Sequence, residues 1–436
     1  MSAPEGLLER LNLRKNVSYA AGEFILTTLL LFVGYRLVIK QGGIEAIGVW
    51  STLYAWTNLI RLGDAGVAVA ATRFLAMWDV GKEQQRVRTY AETALLTNIV
   101  QFGALALIAY AGISPFVDRI VGADHAAEAR HVLPWLLLGF FLLNVAGTLM
   151  GMLQGLHLGY RRSQLSVFGT MIQLAAVLVL VPSHGLIGLA WAQVAQYAIV
   201  TLLAFAAVSR KLGRVLRPYH FDAPAFRNML GYSLKAQVVN IANGLIEPVS
   251  KMLVGHFGGM AAQGLYELAY KTVLLPRHVV ATSVTAITPA MAALFAEDRK
   301  ELRQLYERTF RLSSRLMGAT ALMVSCAAPI PSILFMGHVD SNYWLYVTIL
   351  ATGFFFNVIG APSYVLGMAS GHLQNNIIAT VLTLALLAFF GTLFGYKTGG
   401  SGVVLATSIS IGLGGIFIWL ANRELLNKFQ VPLQKL

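Results

Sequence analysis

Apolar runs of about 20 residues recur along the whole 436-residue chain, and each could cross the hydrocarbon core of a bilayer as a helix. Only 12% of the residues are charged, about half the share in soluble domains, so much of the surface must face lipid. We therefore predict an all-α polytopic membrane protein. Its twelve predicted spans are 17–39, 46–70, 90–112, 132–155, 164–182, 185–208, 231–255, 262–284, 312–335, 342–368, 375–395 and 402–421.

The basic residues are distributed unevenly between the two sides of these spans. An even number of spans places both termini on one side, and most of the 33 Lys and Arg residues fall on that side, with clusters at 210–227 and 299–311. This asymmetry predicts cytoplasmic termini. Orientation and anionic lipid head groups then account for the net charge of +13, and we expect no nucleic-acid partner. The loops on the other side carry Lys40, Arg119, Arg130 and Lys397.

One punctuated phrase occurs twice, as GGIEAIGVW at 42–50 and as GGMAAQGLY at 258–266. Shifting the chain by 216 residues without a gap makes about 16 of 60 positions identical, including the pair Arg61 and Arg277. This repeat relates spans 1–3 to spans 7–9. We interpret each phrase as an outer turn in which glycines let two helices reverse.

Six spans per copy is an even number, so the two copies enter the membrane in the same direction and form a parallel repeat. The prediction is two six-helix lobes, at 1–210 and 231–436, around a central cavity. The polar segment 211–230, which contains Pro218 and Pro224, is the predicted cytoplasmic linker.

The stretch that begins GGIEAIGVW, with Asp64-x-Gly66 and then Arg73, resembles polysaccharide flippases of the multidrug/oligosaccharidyl-lipid/polysaccharide (MOP) exporter superfamily. GLYELAYK at 264–271 resembles the second lobe of the same family. The resemblance implies a non-enzymatic transporter that works by alternating access in the bacterial inner membrane. It also implies membrane lipids and glycan-assembly proteins as partners.

Charged side chains within the spans are costly and should face a partner or a cavity. Three helical pairs, Glu247 with Lys251, Glu267 with Lys271 and Arg61 with Asp64, could simply neutralise one another. When these three pairs are set aside, more basic than acidic residues remain within the spans. Among the remaining basic residues, Arg277 lies well inside predicted span 8, beside Pro276. The predicted substrate contacts are Arg277, Arg61, Arg36, Lys235, Lys251 and Lys271.

A cationic cavity suits a polyprenyl-pyrophosphate-linked oligosaccharide, because arginine and lysine bind phosphates. We therefore predict a flippase for surface-polysaccharide synthesis. A drug or cation antiporter of the same superfamily would instead need an acidic cavity. A peptidoglycan-precursor flippase remains a closer alternative, although families with that role usually carry 14 spans. A membrane glycosyltransferase or polymerase would need loop carboxylates, for which 113–131 offers Asp118, Asp124 and Glu128.

The same resemblance implies transport driven by an ion gradient, and a carboxylate in a span could carry H⁺ or bind Na⁺. Glu23 has no evident partner on its own helix and is the first candidate. The others are Asp64, Glu247 and Glu267. We expect no further cofactor and no metal, because the single cysteine, Cys326, lies in an apolar run and the histidines lack ligand spacing.

Overall fold

The computed structural model describes the backbone of residues 13–77, 83–285 and 287–428. Within these residues the regular structure is helical. The α-helices are α1 Leu13–Leu59, α2 Val67–Met77, α3 Gln84–Ile113, α4 Val117–Val121, α5 Ala123–Gly155, α6 Gly159–Lys211, α7 Ala223–Thr285, α8 Thr288–Glu297, α9 Arg299–Ala327, α10 Pro329–Met336, α11 Ser341–Ile359, α12 Ala361–Ala369, α13 Gln374–Thr398, α14 Gly400–Arg423 and α15 Leu425–Lys428.

Three long helices are each broken at a glycine with a positive φ. The breaks are Gly43 in α1 (φ 70°), Gly185 in α6 (φ 55°) and Gly259 in α7 (φ 75°). Glycine adopts this backbone conformation at little cost, whereas a residue with a Cβ atom is strained there. Gly43 and Gly259 are equivalent positions of the repeated phrase, so the predicted turns are confirmed. Predicted spans 1 and 2, 5 and 6, and 7 and 8 lie on either side of the breaks.

Six helices in the described part of the chain are long and apolar enough to cross a membrane, or seven if α9 and α10, bent by 47°, count as one span. The total of twelve spans is predicted for the whole chain, and it stays a prediction. Predicted span 46–70 is wrong as a continuous helix, because a 3₁₀ turn and an extended segment interrupt it after Leu59. Predicted span 342–368 has a turn at Gly360, just before Pro362, but α11 and α12 together count as one of the six apolar spans.

The helices carry large apolar side chains on their outer surface. Leu107 is 74% exposed and Val179 is 71% exposed, and both lie within long helices. A protein in water rarely exposes extended apolar patches of this kind, whereas lipid solvates them well. The chain is a multi-pass membrane protein.

The chain divides into two compact units, which differ from the predicted lobes at two segments. Unit 1 comprises Met1–Gly43 and Trp56–Asn240, and unit 2 comprises Ile44–Ala55 and Ile241–Leu436. Residues 44–55, the start of predicted span 2, are thus grouped with unit 2. Residues 211–240, the predicted linker and the start of predicted span 7, are grouped with unit 1. The lobe boundaries 1–210 and 231–436 remain a prediction.

In unit 1 the predicted linker 211–230 is bound to the first turns of α3. Arg88 and Glu92 form a buried ion pair at 2.7 Å on α3. The Arg88 guanidinium donates to the Val215 carbonyl oxygen at 3.0 Å, and Glu92 accepts from the backbone N–H of Arg217 at 2.8 Å. Leu216 is buried in the same core. This part of the linker is therefore a fixed element of unit 1.

In unit 2 the two copies of the repeated phrase contact each other reciprocally. A Cβ atom on Gly48 would overlap the backbone oxygen of Met260, and one on Gly264 would overlap that of Ile44. Gly48 and Gly264 are equivalent by the 216-residue shift, as are Ile44 and Met260. The contact therefore has local two-fold symmetry, and it requires glycine because two helix backbones meet there.

We expect Gly264→Ala to destabilise the protein by about 1–3 kcal/mol, because the added methyl group must push two helices apart. The measurement is thermal unfolding of the purified protein in detergent. Gly112→Ala is the matched control, since a Cβ there would meet nothing within 4 Å. Equal stability of the two variants would contradict the close contact.

Candidate functional site

Unit 2 contains a cavity of about 460 Å³ whose wall combines apolar, polar and charged side chains. Helix α7 contributes Glu247, Tyr270 and Arg277, and α11 contributes Phe354 and Asn357. Residues of α12, α13 and α14 complete the wall. Two of the predicted site residues, Arg277 and Glu247, thus line the same cavity.

Four charged side chains beside this cavity form a single ion-pair network. Lys251, whose side chain is 2% exposed, binds Glu247 at 2.7 Å and Glu267 at 2.6 Å. Lys271 binds Glu247 at 3.1 Å and lies 3.9 Å from Glu267. Two positive and two negative charges therefore balance, and each lysine already has a carboxylate. The predicted pair of Glu247 with Lys251 is confirmed, whereas Lys271 lies closer to Glu247 than to its predicted partner Glu267.

The buried end of the network is closed by neutral polar groups of the same unit. Ser51 donates to the Glu267 carboxylate at 2.6 Å, and Gln263 donates to the Ser51 hydroxyl at 3.1 Å. Ser51 and Glu267 are equivalent positions of the repeat. Glu267 thus has hydrogen-bond donors on both sides, which is what a buried carboxylate requires.

Arg277 differs from both lysines because its bound acceptor is neutral. One terminal nitrogen donates to the Asn357 side-chain oxygen at 2.9 Å, and the guanidinium lies 5.4 Å from the centre of the Phe354 ring. Its Nε is buried without a hydrogen-bond partner in the described structure. No ion pair of Arg277 is found among the described residues. Its charge is therefore available to an anion that enters the cavity.

In unit 1 the predicted pair of Arg61 with Asp64 is wrong. Arg61 is exposed in the 3₁₀ turn that follows α1 and donates to the Asn144 side-chain oxygen at 3.5 Å. The Asp64 carboxylate instead accepts from the backbone N–H of Gly66 at 2.8 Å and closes a local turn. The helix that would have placed the two side chains on one face ends before them.

Of the three predicted site residues that remain, the structure describes the side chain of one. Arg36 is exposed on α1. The side chains of Glu23 and Lys235 lie outside the described residues, so their predicted roles stay predictions.

Two asparagines that are not among the predicted site residues, Asn144 and Asn357, bind the repeat-related arginines. A signal for them exists in the segments FLLNVAG at 141–147 and FFFNVIG at 354–360. These segments are related by a shift of 213 residues, so the ungapped shift of 216 that aligns the arginines does not align the asparagines.

A family profile described as polysaccharide biosynthesis protein matches residues 79–338. A comparison with curated protein sequences gave no match. The structure resembles the inward-facing conformation of a multidrug resistance MATE family transporter of the MOP superfamily, with a TM-score of 0.82 and 16% identity over 93% of this chain and 96% of that chain.

Two further solved structures cover 99% of this chain and 100% of their own, each with a TM-score of 0.68 and 16% identity. One is a MOP superfamily transporter from Pyrococcus furiosus, for which the reverse polarity of the binding pocket suggests a different function. The other is the outward-facing conformation of a multidrug resistance MATE family transporter. At this identity the similarities establish the transporter fold.

Proposed function

Because this chain belongs to the polysaccharide biosynthesis protein family and has the MOP superfamily transporter fold, we propose that it flips a lipid-linked oligosaccharide. Its substrate would be a polyprenyl-pyrophosphate-linked sugar, moved from the cytoplasmic to the outer face of the bacterial inner membrane. Both termini would then be cytoplasmic, as the distribution of basic residues predicts.

The observation that carries this proposal is the charge balance of the cavity in unit 2. Lys251 and Lys271 neutralise Glu247 and Glu267, which leaves the Arg277 guanidinium as the charge without a counter-ion among the described residues that line the cavity. An anionic pyrophosphate can bind such a group by charge-assisted hydrogen bonds. An organic cation would be repelled by Arg277 and would find the Glu247 carboxylate already bound by two lysines.

For coupling we propose that a membrane carboxylate carries H⁺ or binds Na⁺. Glu23 remains the first candidate from the sequence. Glu247 is supported by its position at the cavity wall, where one third of its side chain is exposed. Glu267 is bound on both sides and is a weaker candidate than Glu247.

The proposal is tested with purified protein in phospholipid vesicles that contain a labelled polyprenyl-pyrophosphate-linked sugar. We expect the protein to accelerate the movement of the sugar between leaflets, measured by its accessibility to an impermeant enzyme added outside. The assay is repeated with an imposed H⁺ gradient and with an imposed Na⁺ gradient. Vesicles with a polyprenol-linked sugar that lacks phosphate provide the substrate control.

Two results would contradict the proposed function. Gradient-driven uptake of an organic cation without flipping would favour the antiporter. Transfer of sugar between donor and acceptor lipids by the purified protein would favour the glycosyltransferase or polymerase.

A further inference from the structure

The two repeat-related arginines each bind an asparagine from a repeated segment. Arg277 binds Asn357, and Arg61 binds Asn144. Both asparagines lie in the pattern Phe-x-x-Asn-Val-x-Gly, at 141–147 and 354–360. Because each unit has the same arginine and asparagine combination, the arrangement is duplicated within the chain.

The pattern in unit 2 places two groups against one guanidinium. Phe354 and Asn357 are three residues apart on α11, so both lie on the face that meets Arg277. The ring of Phe354 and the side-chain oxygen of Asn357 restrict the guanidinium from two directions. Its Nε has no hydrogen-bond partner among the described residues.

In unit 1 the asparagine itself is held in place. The Asn144 amide group donates to the Phe140 carbonyl oxygen at 2.7 Å, one turn earlier on α5. This bond directs the other end of the amide, its oxygen, towards Arg61. An amide oxygen accepts a hydrogen bond from a guanidinium and so orients it, but leaves its positive charge in place. A carboxylate would orient the guanidinium and also cancel its charge.

We propose that Asn357, and Asn144 at the equivalent place in unit 1, are positioning residues that hold the arginines ready for the substrate's phosphate groups. This inference rests on the proposed function for the identity of the anion. The four predicted substrate contacts whose partners are described thus have two kinds of partner. Carboxylates neutralise Lys251 and Lys271, and amides leave Arg277 and Arg61 charged.

The test compares Asn357→Ala and Asn357→Asp with the unchanged protein. Alanine removes the acceptor, and we expect the affinity for a polyprenyl pyrophosphate to fall about three- to tenfold, which corresponds to the net contribution of one ordinary hydrogen bond. Aspartate keeps the shape but pairs with Arg277, so we expect at least a tenfold loss while the unfolding temperature is unchanged or raised. Asn98→Ala is the control for loss of a buried asparagine on a helix outside the cavity.

A second measurement reports on Arg277 without the substrate. The rate at which phenylglyoxal modifies Arg277, followed by mass spectrometry, should rise in Asn357→Ala, which frees the guanidinium, and fall in Asn357→Asp, which pairs it. Equal rates in all three proteins would overturn the positioning role, even if flipping is normal. Full pyrophosphate affinity in Asn357→Asp would overturn it as well.

The two measurements separate this inference from the proposed function. If the modification rates change as expected but the unchanged protein binds no polyprenyl pyrophosphate, the positioning role stands and the proposed substrate is wrong. If binding of the lipid is strong and neither variant alters it or the modification rate, the proposed substrate stands and the positioning role is wrong.

Discussion

Arg277→Ala is expected to lower the rate of lipid-linked oligosaccharide flipping about ten- to hundredfold. The guanidinium lines the cavity, has no counter-ion among the described residues, and would form charge-assisted hydrogen bonds with the pyrophosphate. Arg277→Lys keeps the charge but loses the planar fork, so we expect an intermediate rate. The measurement is the vesicle assay, with each variant reconstituted at equal protein density.

Arg315→Ala provides the matched control for the loss of an arginine. Arg315 is exposed on α9, near the predicted cytoplasmic end of its span, where its charge can reach the membrane surface. We expect normal flipping from this variant. Full flipping and full glycan export by Arg277→Ala, at normal expression, would contradict the role of Arg277.

The features that the sequence predicts well are those that depend on local spacing or on the repeat. Apolar runs and positive-φ glycines require only a short stretch of chain, so the helices and the breaks at Gly43 and Gly259 could be predicted. The ungapped 216-residue shift is likewise enough to identify Arg61 and Arg277 as equivalent positions.

The break in predicted span 2 depends on the Asp64 side chain, whereas the span is predicted from the apolar pattern alone. Asp64 accepts a hydrogen bond from the N–H of Gly66, whose φ is 69°, and this local turn competes with continued helix. The Asp-x-Gly pattern is visible in the sequence, but helical spacing alone pairs Asp64 with Arg61, and that pairing fails once the turn forms.

The ion network could be predicted only where its partners share a helical turn. The bond of Lys251 to Glu267 crosses the break at Gly259, and the bond of Lys271 to Glu247 crosses the same break. The repeat does not predict this network either, because the residues 216 positions before its four charged members are all uncharged. The network therefore belongs to the second copy alone, while the arginine and asparagine combination belongs to both.

Lys251→Met should produce the largest loss of stability. The substitution keeps an unbranched side chain of similar length in a fully buried position but removes the cation between Glu247 and Glu267. Breaking a buried pair by removing one partner typically costs about 3–5 kcal/mol, because the remaining charge is left without compensation. We expect a loss of this size in the free energy of unfolding, measured with a denaturant on the purified protein in detergent.

Two further variants show whether the loss comes from the uncompensated carboxylate. In Lys251→Met with Glu267→Gln, one positive and one negative charge are removed together and Lys271 still binds Glu247, so a large part of the stability should return. Arg86→Ala breaks an ion pair with Glu83 whose side chains are 59% and 42% exposed, and such pairs contribute about 0–1 kcal/mol. If Lys251→Met were no less stable than Arg86→Ala, or if the double variant recovered nothing, the network would not stabilise unit 2 through charge balance. Recovery in the double variant would instead establish that Lys251 is a structural cation, and the binding of pyrophosphate would then depend on the arginines.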